Sequence, residues 1–444
     1  MISNQGQRII IIEAPAGAER RTVTAPRQDA SPGGNPLKRL PSNGGLAMTS
    51  PISPAETPNR PHLPLLDGVR GCAILLVLAT HLASGTTAAS GFDDVVLRAL
   101  RAGWMGVDLF FVLSGFLITG ILLDSRRDPH YFRVFFARRA LRILPLYWLY
   151  LLLLLAAAWR LPAELHRDTL LAGLPWHAAY LTNVIVAIRG WDGFQTGHLW
   201  SLSVEEQFYL AWPSLVLIAG ARRLRGATVR LMLWLPAVRA AAVAAGVLTL
   251  TTHLLTPFRA DSFGAGALLA ILIRDEERER LLPRLRLAGT VAIGLLLAIA
   301  LHDRALRYSS PLVRTSGYTL LALAFASLVE RALHAAPGSA LARTLGSRLL
   351  RSVGRYSYSI YLFHPPVLLA FDTLVFDRTD LPVIAGSRLP AFVVYSVAFT
   401  AVMWVFGFTT WWTFERHFLR LKRHFPYSAD DTGPGAVQAT AKAA

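Results

Sequence analysis

The sequence predicts an all-α, polytopic integral membrane bundle of about ten transmembrane helices, with one further re-entrant or peripheral segment. Three observations predict it. Of 444 residues, 53% are apolar and only 16% charged, against the roughly 25% charged expected of a soluble globular domain. Nearly uncharged runs recur from Leu65 to Phe414, each about 20 residues and so long enough at 1.5 Å per residue to cross a hydrocarbon core of about 30 Å. Basic residues gather in alternate connections, as the positive-inside rule requires.

Residues 1–60 are rich in Pro, Gly, Ala and Ser, and their apolar cluster Ile9 to Ile12 is too short for a signal-peptide core. They read as a disordered cytoplasmic arm, and Met48 offers a start nearer the first span. A membrane domain follows over 61–424, and 425–444 read as a disordered tail.

Eleven apolar candidates are centred near Val77, Leu113, Leu152, Tyr180, Tyr209, Ala240, Leu268, Leu295, Leu323, Leu362 and Tyr395. If the Tyr180 segment does not span, the connections 124–142, 220–230, 274–286, 331–355 and 416–423 fall on one side with 24 basic residues, against 10 in the connections opposite. That asymmetry places both termini in the cytoplasm. Either 170–188 or 199–219 can be the piece that does not cross.

The net charge of +17 does not imply nucleic acid, because the arginines sit in short connections and no zinc spacing or basic recognition helix accompanies them. The single cysteine, Cys72, rules out an internal disulfide and a thiolate metal cluster. No metal-ligand spacing such as His-x-x-x-His occurs, and no metal is expected.

Chemistry-bearing residues interrupt the apolar runs. In the first span, LLDGVRGCAILLVLATHLAS, Arg70 and His81 are eleven residues apart, so they share a face about 16 Å apart along the axis. Ionisable groups within a span are costly and usually face a bundle interior or a water-filled cavity. The alternative is an arginine snorkelling to headgroups and a histidine bonded to a neighbouring helix. In YFRVFFARRALRILPLYW, Arg139 and Arg142 share a helical turn. Two guanidiniums there suit a phosphate-rich ligand such as coenzyme A, or serve only as topology anchors or anionic-lipid contacts.

HLWSLSVEEQFYLAWP sets His198 and Glu205 seven apart, with Ser201 between them and Ser203 beside them. An imidazole and a carboxylate so placed can orient a hydroxyl or tune a base, or simply cap the interface. Asp108, Asp261 and His364 fall on the same outer half and are supporting candidates, each equally readable as a structural polar contact.

These motifs together resemble the membrane acyltransferase-3 family over residues 62–423. The resemblance rests on Arg70-x10-His81, Arg139-x-x-Arg142, GVDLFFVLSGFLIT and HLWSLSVEEQFYL. It implies a ten-helix bundle in the bacterial inner membrane that moves an acyl group, preferentially acetyl, from cytoplasmic acyl-CoA to a hydroxyl of an extracytoplasmic carbohydrate or lipid-linked glycan. It implies acyl-CoA as co-substrate and no permanently bound cofactor. Some family members carry an extracytoplasmic esterase domain; here that role would fall to a separate protein, or transfer would be direct.

On this reading Arg139 and Arg142 hold acyl-CoA, and His81, Arg70 and Glu205 are catalytic. His198, Ser203, Asp108, Asp261 and His364 contact the acceptor or support the site. The competing expectation is a transporter or flippase of a glycan or acyl carrier without chemistry, since buried charges also mark substrate pathways.

Overall fold

The computed structural model describes residues 63–159, 167–191 and 196–427. The arm assigned to 1–60 and the tail from residue 428 onward lie outside the described residues. The described chain is helical, with a single isolated bridge between Ile384 and Ser387.

The helices, in order, are α1 (Pro64–Gly85), α2 (Gly91–Arg101), α3 (Gly106–Asp124), α4 (Tyr131–Ala158), α5 (Arg167–Ala178), α6 (Thr182–Arg189), α7 (Trp200–Ala244) and α8 (Thr249–Leu254). They continue with α9 (Ala260–Leu272), α10 (Arg278–His302), α11 (Tyr318–Leu333), α12 (Ala340–Leu345), α13 (Arg348–Arg355), α14 (Ser357–Leu374), α15 (Leu389–Thr410) and α16 (Arg416–Arg420). Six helical stretches among the described residues are long and apolar enough to cross a membrane: those of α1, α3 with α2, α4, α7, α10, and α15 with the turns that follow it. The protein is a multi-pass membrane protein.

Ten of the eleven apolar centres fall within helices. The exception, Tyr180, sits at a break with φ 55° between the 12-residue α5 and the 8-residue α6. Each is too short at 1.5 Å per residue to cross alone. The connection expected at 220–230 is marked by a break: Trp200–Ala244 comprises two helices joined at Gly220, whose φ 67° and ψ 168° are non-helical, with Tyr209 on the first and Ala240 on the second. The stretch 84–103, in contrast, is not all loop. Ser90 caps α2 by accepting from the Asp93 amide at 3.1 Å, a Ser-x-x-Asp start visible in the sequence.

Burial separates a centre from a periphery. The α3 stretch is the most enclosed and α7, α10 and α15 the least, with Leu210, Leu233, Trp234, Leu297, Val394 and Val397 exposed as a lipid-facing surface would be. In contrast, every residue of the 13-residue α9 after Ala260 is buried. It packs on α3 through glycines: a Cβ on Gly115 would lie 2.1 Å from the Phe263 carbonyl oxygen, and one on Gly266 would lie 2.0 Å from that of Val112. Only glycine allows backbones this close, and in lipid such close packing drives helix association because burial from water contributes little.

Replacing Gly266 by Val should therefore separate α3 from α9 and abolish the monodisperse detergent peak in size-exclusion chromatography. Gly294→Ala, on α10 with nothing within 4 Å of the added carbon, should elute as wild type.

Candidate functional site

Three cavities follow one another along α1. The first, about 110 Å³, is lined by Arg70 of α1, Ser114 of α3, Arg139 and Arg142 of α4, Glu205 and Tyr209 of α7, and Tyr361 of α14. The second, about 340 Å³, is lined by Thr80, His81, Ser84, Trp104, His198, Trp200, His253 and Tyr308. The third is an open vestibule of about 570 Å³ that shares Thr80, Ser84, Trp104 and Tyr308 with the second. Val107 and Tyr361 line both the first and the second cavity. From Arg70 to Ser84 the path runs 14 residues of helix, about 21 Å.

The arginine cavity is built by helical phase. Arg139 and Arg142, three apart on α4, face one way as expected, and Arg70 joins them from α1. The charged groups acting on Arg142 include Arg70, Arg139 and Glu415, and Lys422 senses Arg142, Arg139 and Arg138. Partial neutralisation comes from Asp67, 2.7 Å from Arg70, and from Glu415, which accepts from Ser359. Arg139 also lies 5.4 Å from the centre of the Tyr209 ring. Cations crowded this closely in a half-buried pocket make it electrostatically attractive to an anion.

Glu205 departs from expectation. Its carboxylate accepts from Ser114 and Tyr209 within the arginine cavity, while His198 faces the second cavity. The seven-residue spacing misleads because His198 belongs to a 3-10 turn, Gly197–Leu199, that precedes α7. A turn of three residues rather than 3.6 shifts the phase.

The histidine cavity holds a chain of imidazoles. The His81 and His364 ring centres are 4.6 Å apart and those of His364 and His198 5.4 Å. His81 Nδ1 lies 2.8 Å from the Val77 carbonyl, and His364 Nδ1 lies 2.7 Å from that of Tyr361. A carbonyl only accepts, so both Nδ1 atoms carry the hydrogen and the basic lone pair is on Nε2 in each neutral ring. His364 Nε2 is buried without a hydrogen-bond partner. His198 is held through Nε2, which donates to the Leu362 carbonyl at 3.0 Å.

Tyr361 stands between the two cavities. Its hydroxyl donates to the His198 carbonyl at 2.9 Å and lies 2.5 Å from Ser201 Oγ.

Asp108, Asp261 and Ser203, expected to contact the acceptor or to support the site, line none of these cavities. Asp108 accepts from Arg259 at 2.5 Å and from Ser262 at 2.9 Å. Asp261 accepts from Arg239 at 2.8 Å and Thr319 at 2.5 Å. Both ion pairs are fully buried. Ser203 donates to the Leu199 carbonyl and accepts from the Thr182 amide, both at 3.2 Å, joining α6 to α7.

Sequence reasoning overlooked Arg239 and Arg259 as partners of these aspartates, and also Trp104, His253 and Tyr308. His253 bonds the Tyr318 hydroxyl at 2.8 Å and stacks on Tyr308 at 4.6 Å. Its place in an apolar stretch was the available signal. Among the described residues, no group of three or more His, Cys, Asp or Glu side chains is placed to hold a metal ion.

Removing one partner of a buried ion pair strands the other, at a cost of about 3–5 kcal/mol. Asp108→Ala should lower the thermal unfolding midpoint sharply in detergent, and Asp108→Leu combined with Arg259→Met should recover most of it. A single variant that melts with the wild type would refute a locking role for this pair.

The family described as "Acyltransferase domain" matches residues 63–408. The chain is 27% identical to the peptidoglycan O-acetyltransferase OatA of Listeria monocytogenes, an alignment covering 70% of this chain and 50% of that protein. It is 25% identical to the O-acetyltransferase OatA of Staphylococcus aureus, covering 72% and 53% respectively. The chain thus spans about half the length of the curated relatives it matches. No solved structure matches.

Proposed function

Because the chain belongs to the acyltransferase domain family, we propose that it is a membrane O-acyltransferase, moving an acetyl group from acetyl-CoA to a carbohydrate hydroxyl. The observation that carries this reading is the placement of three guanidiniums in one cavity and a histidine with a backbone-fixed tautomer in the next, with Tyr361 lining both. The O-acetyltransferase activity in the relatives' names supports the reaction class.

In this reading Arg70, Arg139 and Arg142 bind the phosphates of coenzyme A, whose flexible arm carries the thioester past Val107 and Tyr361 towards His81. The acceptor hydroxyl enters from the vestibule. His81 Nε2 takes the hydroxyl proton as the oxygen attacks the thioester carbonyl. The carbon–sulfur bond then breaks, and the thiolate recovers the proton from His81, so the products are an O-acetyl ester and free coenzyme A.

His364 presses on the His81 ring and is a positioning residue, as is His198. Glu205, hydrogen-bonded to Ser114 and Tyr209, shapes the arginine cavity and does not contact the acceptor.

We assign ten spans with both termini in the cytoplasm of a bacterial inner membrane. Support comes from the arginine asymmetry, from helices at ten of the eleven apolar centres, and from the shortness of α5 and α6. The arginine cavity then opens inward and the vestibule outward. The acceptor is a glycan of the cell envelope, acylated directly or through a separate extracytoplasmic transferase.

The test is thiol release from acetyl-CoA by protein in nanodiscs supplied with a glycan mixture. His81→Ala should abolish release while leaving membrane insertion intact. Arg142→Ala should cost at least about tenfold in kcat/KM, corresponding to about 1.4 kcal/mol of lost anion contact. Near wild-type turnover in either variant would overturn the assignment.

A further inference from the structure

The vestibule at the far end of α1 has a composition that the acyl donor does not explain. Its charged lining is Asp94, Arg98, Arg101 and Arg307, three cations against one carboxylate. Asp94 and Arg98 are an i,i+4 pair on α2, of the partly exposed kind that contributes little and that an incoming anion can rearrange. No carboxylate among the described residues forms an ion pair with Arg101 or Arg307. A site for a neutral sugar would need no such excess.

The scaffold holds in place the helix that presents two of these cations. Arg101 donates from Nε to the Ala83 carbonyl at 3.0 Å and from Nη2 to that of Thr86 at 2.8 Å, at the C-terminal end of α1. Thr80 returns a bond to the Arg101 carbonyl at 2.7 Å. At the other end of α2, Asp93 accepts from Ser387 Oγ at 2.6 Å and from the Arg388 amide at 2.9 Å. The helix that presents Arg98 and Arg101 is therefore clamped at both ends.

The same vestibule carries flat apolar surface. Trp104 and Tyr308 line it, their rings 6.5 Å apart and edge to face, and the indole nitrogen of Trp104 is fixed by the Leu306 carbonyl at 2.9 Å. Fixed aromatic faces with a few placed polar groups, in a volume between about 300 and 1,000 Å³, describe a small-ligand site. Here the ligand combines the apolar C–H face of a pyranose ring with an anionic group. Thr80 and Ser84 give the bound sugar a route to His81, with which they share the second cavity.

We propose that the vestibule is the acceptor subsite and that it selects an acidic saccharide, a sugar unit bearing a carboxylate that Arg98, Arg101 and Arg307 recognise while Trp104 and Tyr308 support the ring. The proposal rests on the acyltransferase reading above for the meaning of "acceptor". Binding to the vestibule can be measured without turnover.

The experiment is calorimetric titration of the full chain in nanodiscs with a glucuronic acid-containing disaccharide, alongside the same disaccharide with its carboxyl reduced to the alcohol. The acid should bind at least about tenfold more tightly. Arg307→Gln and Arg98→Gln should each remove most of that preference without weakening the reduced sugar. Equal affinities, or no binding of the acid, would overturn the proposal, as would a preference that survives both substitutions.

Thiol release from acetyl-CoA, run on the same samples, separates the two readings. His81-dependent release without charge preference in binding removes the acidic-acceptor subsite alone. Charge preference without release removes the acyltransferase reading and leaves an acidic-sugar site.

Discussion

The buried guanidinium of Arg259 sets the terms for much of this bundle. A guanidinium does not lose its proton in a protein, so a fully buried arginine must be met by a fixed anion. Asp108 of α3 supplies it at 2.5 Å. The pair ties the turn that enters α9 to the start of α3, at the end of the seam where Gly115 and Gly266 bring those backbones together. Arg259 also lies 3.9 Å from the ring centre of Tyr318 and 6.0 Å from that of Trp200. Tyr318 in turn bonds His253, and Trp200 and His253 line the histidine cavity. One charge pair thus holds a wall of that cavity without entering it.

A second buried pair, Arg239 with Asp261, repeats the device on the other side of α9. Arg239 bonds the carbonyls of Phe258 and Thr315 as well as Thr319 Oγ1, so α7, the turn before α9, and α11 with its preceding turn meet at one side chain. Buried charges of this kind are weak evidence for stability in themselves. In a low-dielectric surrounding, however, each specifies its partner strongly, because a mispaired arrangement leaves an ion alone. A bundle held by glycine contact and paired charge is confined to one arrangement, as three cavities lying in series require.

The sequence revealed the helices by apolar length and the cavity arginines by spacing. Arg139 and Arg142 share a continuous helix, where the 3.6-residue period holds. It misread His198 against Glu205 because a 3-10 turn breaks that period just before α7. It set two spans on either side of the basic stretch 220–230, and the helix does break there, at Gly220, although the arginines that follow stand on the second helix and not in a loop. Asp108 and Asp261 looked like site residues because an isolated carboxylate in a span demands an explanation. Their partners could not be read, since Arg259 lies 151 positions from Asp108 and only the fold brings them together. The vestibule was hidden for the same reason: Arg98, Arg101 and Arg307 come from two separate connections.

The three cavities differ in how much freedom their charged groups retain, and the difference follows the path. At the arginine end, cations outnumber the acids beside them, which leaves a field for an anion to neutralise. In the middle, two imidazoles have their Nδ1 hydrogens held by backbone carbonyls, so the rings are oriented and the basic nitrogens assigned before any ligand arrives. Such preorganisation removes a reorientation that would otherwise accompany proton transfer. It also explains why Tyr361 is tied to His198 and Ser201. In the proposed transfer, a side chain lining both the arginine cavity and the histidine cavity must keep water from joining them freely, yet leave space for a narrow chain to pass. Tyr361 lines both cavities while its hydroxyl is committed to the His198 carbonyl and Ser201, which suits both demands.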